Sequence, residues 1–238
     1  MKKLHVITII VIGVAIVVSV VLLRPIIVNE TSKPDETTHA EIIKLPEPMY
    51  DGATSVEQAL LNRRSVREYK NEPLTLAEVS QLLWAAQGIT EKAGGFRTAP
   101  SAGALYPLEI YVLAGNVNDL PEGIYKYRPR AHALEKVGEG DKRNELGDAA
   151  LGQDWVKEGS IVIVFSAVYE RTTRKYGERG IRYVHIEVGH AAQNVYLQAV
   201  SLDLGTVVVG AFDDDEMKKI INMPKEEHPL LIMPVGRK

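Results

Sequence analysis

Three arginines and a serine fall within five consecutive positions of this chain, in the stretch Asn62-Arg63-Arg64-Ser65-Val66-Arg67-Glu68-Tyr69. If the segment runs extended, side chains alternate between its faces, so Arg63, Ser65 and Arg67 point one way and Arg64, Val66 and Glu68 the other. One face then carries only donors. A guanidinium keeps its proton and offers a rigid fork of N–H groups that matches phosphate oxygens, and a serine hydroxyl adds a short neutral donor. The natural guest is a phosphate monoester. The competing reading is a solvated helical turn in which Arg64 pairs with Glu68 at i, i+4 and nothing is bound.

The elements that must position this cluster can be read on either side of it. Thr54 or Ser55 can cap a helix through about Leu61, with Glu57 near its positive end, and that helix delivers the chain to the arginines. Pro73 blocks continuation. Thr75-Leu76-Ala77-Glu78 is a capping box, and Val79, Leu82, Leu83 and Ala86 follow at helical spacing up to Gly88. The loop from Ala93 to Gly103 has few bulky side chains, so it is either an ordinary surface loop or a stretch whose backbone N–H groups can approach a flat ligand. Leu108 to Leu113 reads as a strand, Gly123 to Tyr127 and Ala133 to Val137 as a hairpin, and Asp141 to Leu151 as a helix. Ile161-Val162-Ile163-Val164-Phe165 is a continuous β-branched run, a strand covered on both faces. After a basic, glycine-containing segment from Arg171 to Arg182, the longest helix runs from about Tyr183 to Leu202, with apolar residues around much of its circumference. Thr206 to Val209 is a short strand, Asp213 opens another helix, and Leu230 to Met233 is the last strand. The class is α+β.

Composition removes several functions. With 238 residues, 45% of them hydrophobic and 25% charged, the chain can bury a sizeable core. The formal net charge of −3 gives no global field for a nucleic-acid backbone, so no nucleic-acid partner is expected and the arginine cluster acts locally. The absence of cysteine rules out disulfides, thiolate nucleophiles and thiolate zinc sites. No metal site is expected: the six histidines are scattered, and Glu187 with His190 lacks the second such pair that an iron centre needs. Gly138-Glu139-Gly140-Asp141-Lys142-Arg143 starts like a dinucleotide fingerprint but ends in arginine where glycine is required.

The first residues have a different character. Lys2 and Lys3 precede an apolar run from Val6 to Leu23, long enough as a helix to span a hydrocarbon core, and Leu22-Leu23-Arg24-Pro25 is not a small-residue cleavage site. The expectation is a single-pass anchor over residues 1–24, a polar proline-containing linker over 25–49, and one domain over 50–238, placed outside the cytoplasmic face.

Taken together, the arginine run, Ala99-Pro100-Ser101-Ala102-Gly103-Ala104-Leu105-Tyr106-Pro107, Glu187-Val188-Gly189-His190-Ala191-Ala192-Gln193-Asn194, Gly205 to Phe212 and the terminal Pro234-Val235-Gly236-Arg237-Lys238 resemble the nitroreductase-like flavoproteins, above all the SagB-type branch that includes azoline dehydrogenases. The resemblance spans about residues 51–238. It implies a mainly antiparallel sheet flanked by helices, a homodimer, and one FMN in each subunit interface. Carried over by position, Arg63 and Arg64 would contact the phosphate, Ser65 the phosphate or ribityl chain, and Arg67 the N1/O2 edge of the ring. Pro100, Ser101, Ala102 and Gly103 would wall the isoalloxazine from the partner subunit. Gly210 and Ala211 would offer backbone N–H groups near N5 and O4, and Arg237 a further phosphate contact. Lys175-Tyr176 resembles the pair implicated in proton removal in azoline dehydrogenases. The implied chemistry is two-electron transfer on a small organic substrate, by nitro or quinone reduction with NAD(P)H or by dehydrogenation; the alternative is a tethered flavin-binding module without turnover.

Overall fold

The computed structural model describes residues 41–238. The expected anchor at Val6–Leu23 lies outside them, and among the described residues no helix is long and apolar enough to cross a membrane.

In chain order the elements are β1 (Ile42–Lys44), α1 (Val56–Asn62), β2 (Leu74–Thr75), α2 (Leu76–Gln87), β3 (Ile89–Glu91), β4 (Phe96–Arg97), β5 (Leu108–Ala114), β6 (Val117–Asn118), β7 (Gly123–Arg128), β8 (Ala133–Glu139), α3 (Arg143–Ala149), α4 (Asp154–Glu158), β9 (Ile161–Ala167), α5 (Glu170–Tyr176), α6 (Arg179–Ser201), β10 (Leu204–Thr206), α7 (Asp214–Ile221) and β11 (His228–Arg237). Seven strands form one sheet in the order β1-β8-β7-β5-β9-β11-β10, and every neighbouring pair is antiparallel. β9 sits inside it between β5 and β11, and all of its residues are buried, as its unbroken apolar run demands. Alternation along β5 and β9 builds two cores. Ile110, Val112, Ile161, Ile163 and Phe165 pack with Leu82 and Leu83 of α2 and Val188 and Val195 of α6; Tyr111, Leu113, Val162 and Val164 pack with Leu146 of α3, Val156 of α4 and Met217 of α7.

The local signals around the arginines are realised. Ser55 caps α1 by accepting from the Gln58 N–H, and the Thr75/Glu78 capping box opens α2, which ends at Gly88. Several boundaries differ from the sequence reading: the strand expected over Thr206–Val209 is Leu204–Thr206, and the one expected over Leu230–Met233 runs from His228 to Arg237. β1 lies inside the stretch expected to be linker and pairs with β8, so the domain reaches back beyond Tyr50 to at least Ile42. The helix expected over Asp141–Leu151 is the shorter α3, ended by the left-handed turn of Leu151 and Gly152 at φ +59° and +73°, and a second short helix, α4, follows beyond it. The basic segment Arg171–Arg182 holds most of α5, and α6 starts earlier than expected, at Arg179, with Gly177 at φ +58° making the break between them.

The arginine run lies along the sheet edge. The Val66 N–H donates to Thr206 O and the Lys70 N–H to Arg237 O, at 2.9 Å each. Gly205 and Gly236, paired across β10 and β11, make this approach possible. A Cβ on Gly205 would come within 2.6 Å of Val66 Cγ1, and one on Gly236 within 2.9 Å of Tyr69 Cβ. Tyr69 completes the seam by donating to Val66 O at 2.8 Å.

Candidate functional site

Between Arg63 and Tyr69 the chain forms no helical turn, and the Arg64–Glu68 ion pair of the competing reading is not formed. Among the described residues the arginines that pair with carboxylates are Arg128, Arg143, Arg171 and Arg237. Arg63, Arg64 and Arg67 therefore keep uncompensated charge. Arg64 spends part of its fork on α1, donating to Leu61 O at 2.9 Å and Arg63 O at 2.8 Å, carbonyls left open at a helix end.

Tyr196 of α6 organises the rest. The Arg63 guanidinium lies over its ring, 5.2 Å from the centroid, its hydroxyl is 3.1 Å from Ser65 Oγ, and the Val208 N–H donates to that hydroxyl at 2.8 Å. From Val208 the chain runs through Val209, tied to Ile232 by paired backbone hydrogen bonds, to Gly210 and Ala211, both exposed. Ala211 O accepts from Gln153 Nε2 at 3.1 Å, and the Arg67 guanidinium lies 5.6 Å from the ring centre of nearby Trp155 in α4. Together with the chain links between them, these contacts close a ring: Arg63, Tyr196, Ser65, the segment 208–211, Gln153, Trp155 and back to Arg67. A Cβ added at Gly210 would meet nothing within 4 Å, so its backbone faces open space. Two free cations, a hydroxyl and exposed backbone amides fit a flat ring carrying a phosphate.

Ser101, Ala102 and Gly103 form a second group, adjoining exposed Pro100. Ser101 Oγ accepts from the Tyr106 N–H at 2.9 Å, and Gly103 turns left-handed at φ +65°. A Cβ on Gly103 would stand 2.8 Å from Tyr176 Oη and 3.0 Å from Lys175 Nζ, so the structure places the predicted Lys175-Tyr176 pair directly against this loop. The Lys175 ammonium also lies 5.4 Å from the Tyr176 ring centre. No hydrogen bond joins this group to the arginine ring among the described residues.

Arg237, expected at a phosphate, is engaged with α2 in this structure. Its two terminal nitrogens bind both oxygens of Glu78, at 2.6 and 2.9 Å, so the fork expected to reach a phosphate holds the α2 capping box instead.

Sequence reasoning missed Tyr196, Gln153 and Trp155, and it considered Glu187 only as a metal ligand. Tyr196 reads as one more α6 core position. Glu187 is 2% exposed, and its Oε1 has no hydrogen-bond partner. Burial pushes its carboxyl up to about 7 from 4.5, against the opposing pull of the Ser101 hydroxyl and the Arg97 guanidinium. The native state then holds a proton that the unfolded chain releases, so stability falls as pH rises through that window and is flat above it. Glu187→Gln removes the titrating group. The variant is expected to gain about 1–3 kcal/mol relative to the wild type on going from pH 5 to pH 8. Thermal unfolding at the two pH values measures this; parallel pH profiles would show that Glu187 is charged in the native state.

Residues 60–237 match the Nitroreductase family. A Methanocaldococcus jannaschii protein named as a nitroreductase is 55% identical over 183 residues, covering 77% of this chain and 91% of the relative. The Escherichia coli microcin B17-processing protein McbC is 28% identical over 170 residues, 68% of this chain and 62% of its own length. Among solved structures, one from Ralstonia eutropha titled as a nitroreductase superposes with a TM-score of 0.73 at 32% identity, covering 82% of this chain and 89% of that one.

Proposed function

The chain belongs to the nitroreductase family, and on that premise we propose that it is an FMN-dependent oxidoreductase with its phosphate grip at Arg63 and Ser65. The observation that carries this reading is the closed ring of contacts in which Arg63 and Arg67 stack on Tyr196 and Trp155 with no carboxylate to neutralise them. FMN, when bound, supplies two-electron transfer, and the protein's task is to hold it, tune it and admit substrate. Arg63 and Ser65 take the phosphate, and Arg64 supports them by fixing the end of α1. Arg67, held beside Trp155, would favour negative charge on the bound ring, and Gly210 and Ala211 would offer it backbone N–H groups.

Lys175 and Tyr176 hold and move the proton. Their seat against Gly103, in a group with no bond to the arginine ring of the same chain, supports a homodimer in which each subunit's Pro100–Gly103 wall faces its partner's cofactor. Exposed Leu60 and Leu61 on α1 and Ile181 and Ile186 on α6 offer the apolar surface for that pairing. The likeness to McbC together with the Lys175-Tyr176 pair favours SagB-type dehydrogenation, in which the organic substrate rather than NAD(P)H reduces the flavin and an acceptor such as a nitro compound or quinone reoxidises it. The apolar run Val6–Leu23 supports a membrane tether with the domain on the outer side.

The test is anaerobic. After photoreduction of the FMN-loaded full chain, a nitroaromatic or quinone acceptor is expected to reoxidise the flavin at a rate that saturates with acceptor. A pure flavin-binding module would show no saturable, acceptor-dependent phase.

A further inference from the structure

A line of polar contacts, buried at its Glu227 end, runs across the sheet to α5, and neither the phosphate grip nor the cofactor ring uses it. It begins at Glu227, which is 3% exposed and lies between α7 and β11. Glu227 accepts from Tyr111 Oη at 2.9 Å, from Ser166 Oγ at 2.8 Å and from Lys126 Nζ at 2.5 Å. The same ammonium lies 3.2 Å from Glu109 Oε2. The other oxygen of Glu109 meets Arg171 Nη2 at 2.5 Å, and Arg171 Nη1 donates to Tyr106 O at 3.1 Å. Three strands, β5, β7 and β9, are thus tied to one face of α5 and to the end of the loop that carries Ser101 and Gly103.

The spacing gives this line a purpose. Arg171 and Lys175 are four residues apart on α5, so they share a helix face. Tyr106 and Gly103 are close neighbours on the loop. Arg171 on Tyr106 O, and Lys175 with Tyr176 on Gly103, are therefore two rungs of one contact between α5 and the loop. α5 itself is poorly specified: it has seven residues, its N-cap makes no side-chain hydrogen bond, and the buried Thr172 Oγ1 has no partner. Something outside the helix must set its rotation.

We propose that Glu109 and Arg171 are positioning residues that clamp α5 to the Tyr106 end of the loop and thereby set Lys175 and Tyr176 at their working distance. This rests on the reading of Lys175 and Tyr176 as the proton-moving pair. Burial acts to raise the Glu109 carboxyl, but Lys126 and Arg171 together hold it below its usual value, so the clamp is charged at neutral pH. The groups facing it are Lys126 from β7, with Glu227 behind, Arg171 from α5, and Arg97 from β4.

The test uses the FMN-loaded full chain and the variants Arg171→Gln, Arg171→Lys and Glu109→Gln. Arg171 is 39% exposed at its side chain and Lys126 keeps Glu227 when Glu109 is neutralised, so all three variants are expected to fold, and Glu109→Gln is expected to reproduce the effect of Arg171→Gln. Arg171→Gln is expected to lower the limiting rate of flavin reoxidation by a nitroaromatic probe, nitrofurazone, by about 10- to 100-fold, the scale of a misplaced reacting group. The FMN dissociation constant and the half-saturating nitrofurazone concentration stay within about twofold, since the lost contact bears on the chemical step. Arg171→Lys restores part of the rate, and amide exchange speeds up in residues 101–106 and 170–176 of Arg171→Gln. In a Lys175→Met background the Arg171 substitution has no further effect, because both act through one group. Unchanged exchange in those two segments, or a full rate loss added to that of Lys175→Met, overturns the proposal. If Lys175→Met and Tyr176→Phe both leave the rate untouched, the reading of the pair is what fails, and the clamp is then decided by the exchange measurement alone.

Discussion

Reversing two charges together, Arg63→Glu with Arg67→Glu, is expected to weaken FMN binding by about a thousandfold and leave the fold standing. Hydrogen bonds to charged partners contribute about 1.5–3 kcal/mol each, and about 1.4 kcal/mol is a factor of ten, so two such contacts account for the loss before any repulsion is counted. The fold survives because Arg67 is exposed, Arg63 is half-buried and neither pairs with a carboxylate. What they lose at home is stacking on Trp155 and Tyr196, about 0.5–1 kcal/mol for each at such exposure. Titration of refilled apoprotein by flavin fluorescence measures the affinity, and circular dichroism checks the fold. An affinity within a few-fold of the wild type would remove the arginine run from the cofactor site.

The largest effect on stability is expected at Glu227. Its carboxylate is the common acceptor for Tyr111, Ser166 and Lys126, all of them buried. Glu227→Ala removes the acceptor and leaves two hydroxyls unpaired and the Lys126 ammonium with Glu109 alone. Breaking a buried ion pair from one side costs about 3–5 kcal/mol. At about 2–4 °C per kcal/mol for a domain of this size, the melting temperature should fall by about 6–20 °C. Glu227→Gln keeps an acceptor for one hydroxyl and should fall in between. A melting temperature for Glu227→Ala within a degree or two of the wild type would mean that the network is solvated and contributes little.

What can be read from the sequence, and what cannot, follows from the range of the interactions. The Thr75/Glu78 capping box and the Ser55 cap are contacts between residues three apart, so their residue types announce them. β9 declares itself because a run apolar at every position has to be covered on both faces. β1 is hidden: it is three residues long and is a strand only because β8 is there to pair with it. Arg237 is the clearest case among the site residues. By type it is as good a phosphate ligand as Arg63, and only the folded chain shows that Glu78, distant in sequence, already occupies its fork. Tyr196 fails the other way, since its position on α6 looks like core while its hydroxyl, at the border of the core, joins Ser65 to Val208. The resemblance points to Lys175-Tyr176 and to Gly103 separately; that they meet is visible only in the folded chain, where the loop's left-handed turn at Gly103 makes room for the pair.

The central claim is that the ring from Arg63 to Arg67 grips a phosphorylated flavin, and the visible absorption of the native full-length protein tests it most directly. The account predicts flavin bands in the purified protein, or on adding FMN to colourless apoprotein, with FMN released on denaturation. Colourless protein that takes up no FMN when it is supplied would contradict it.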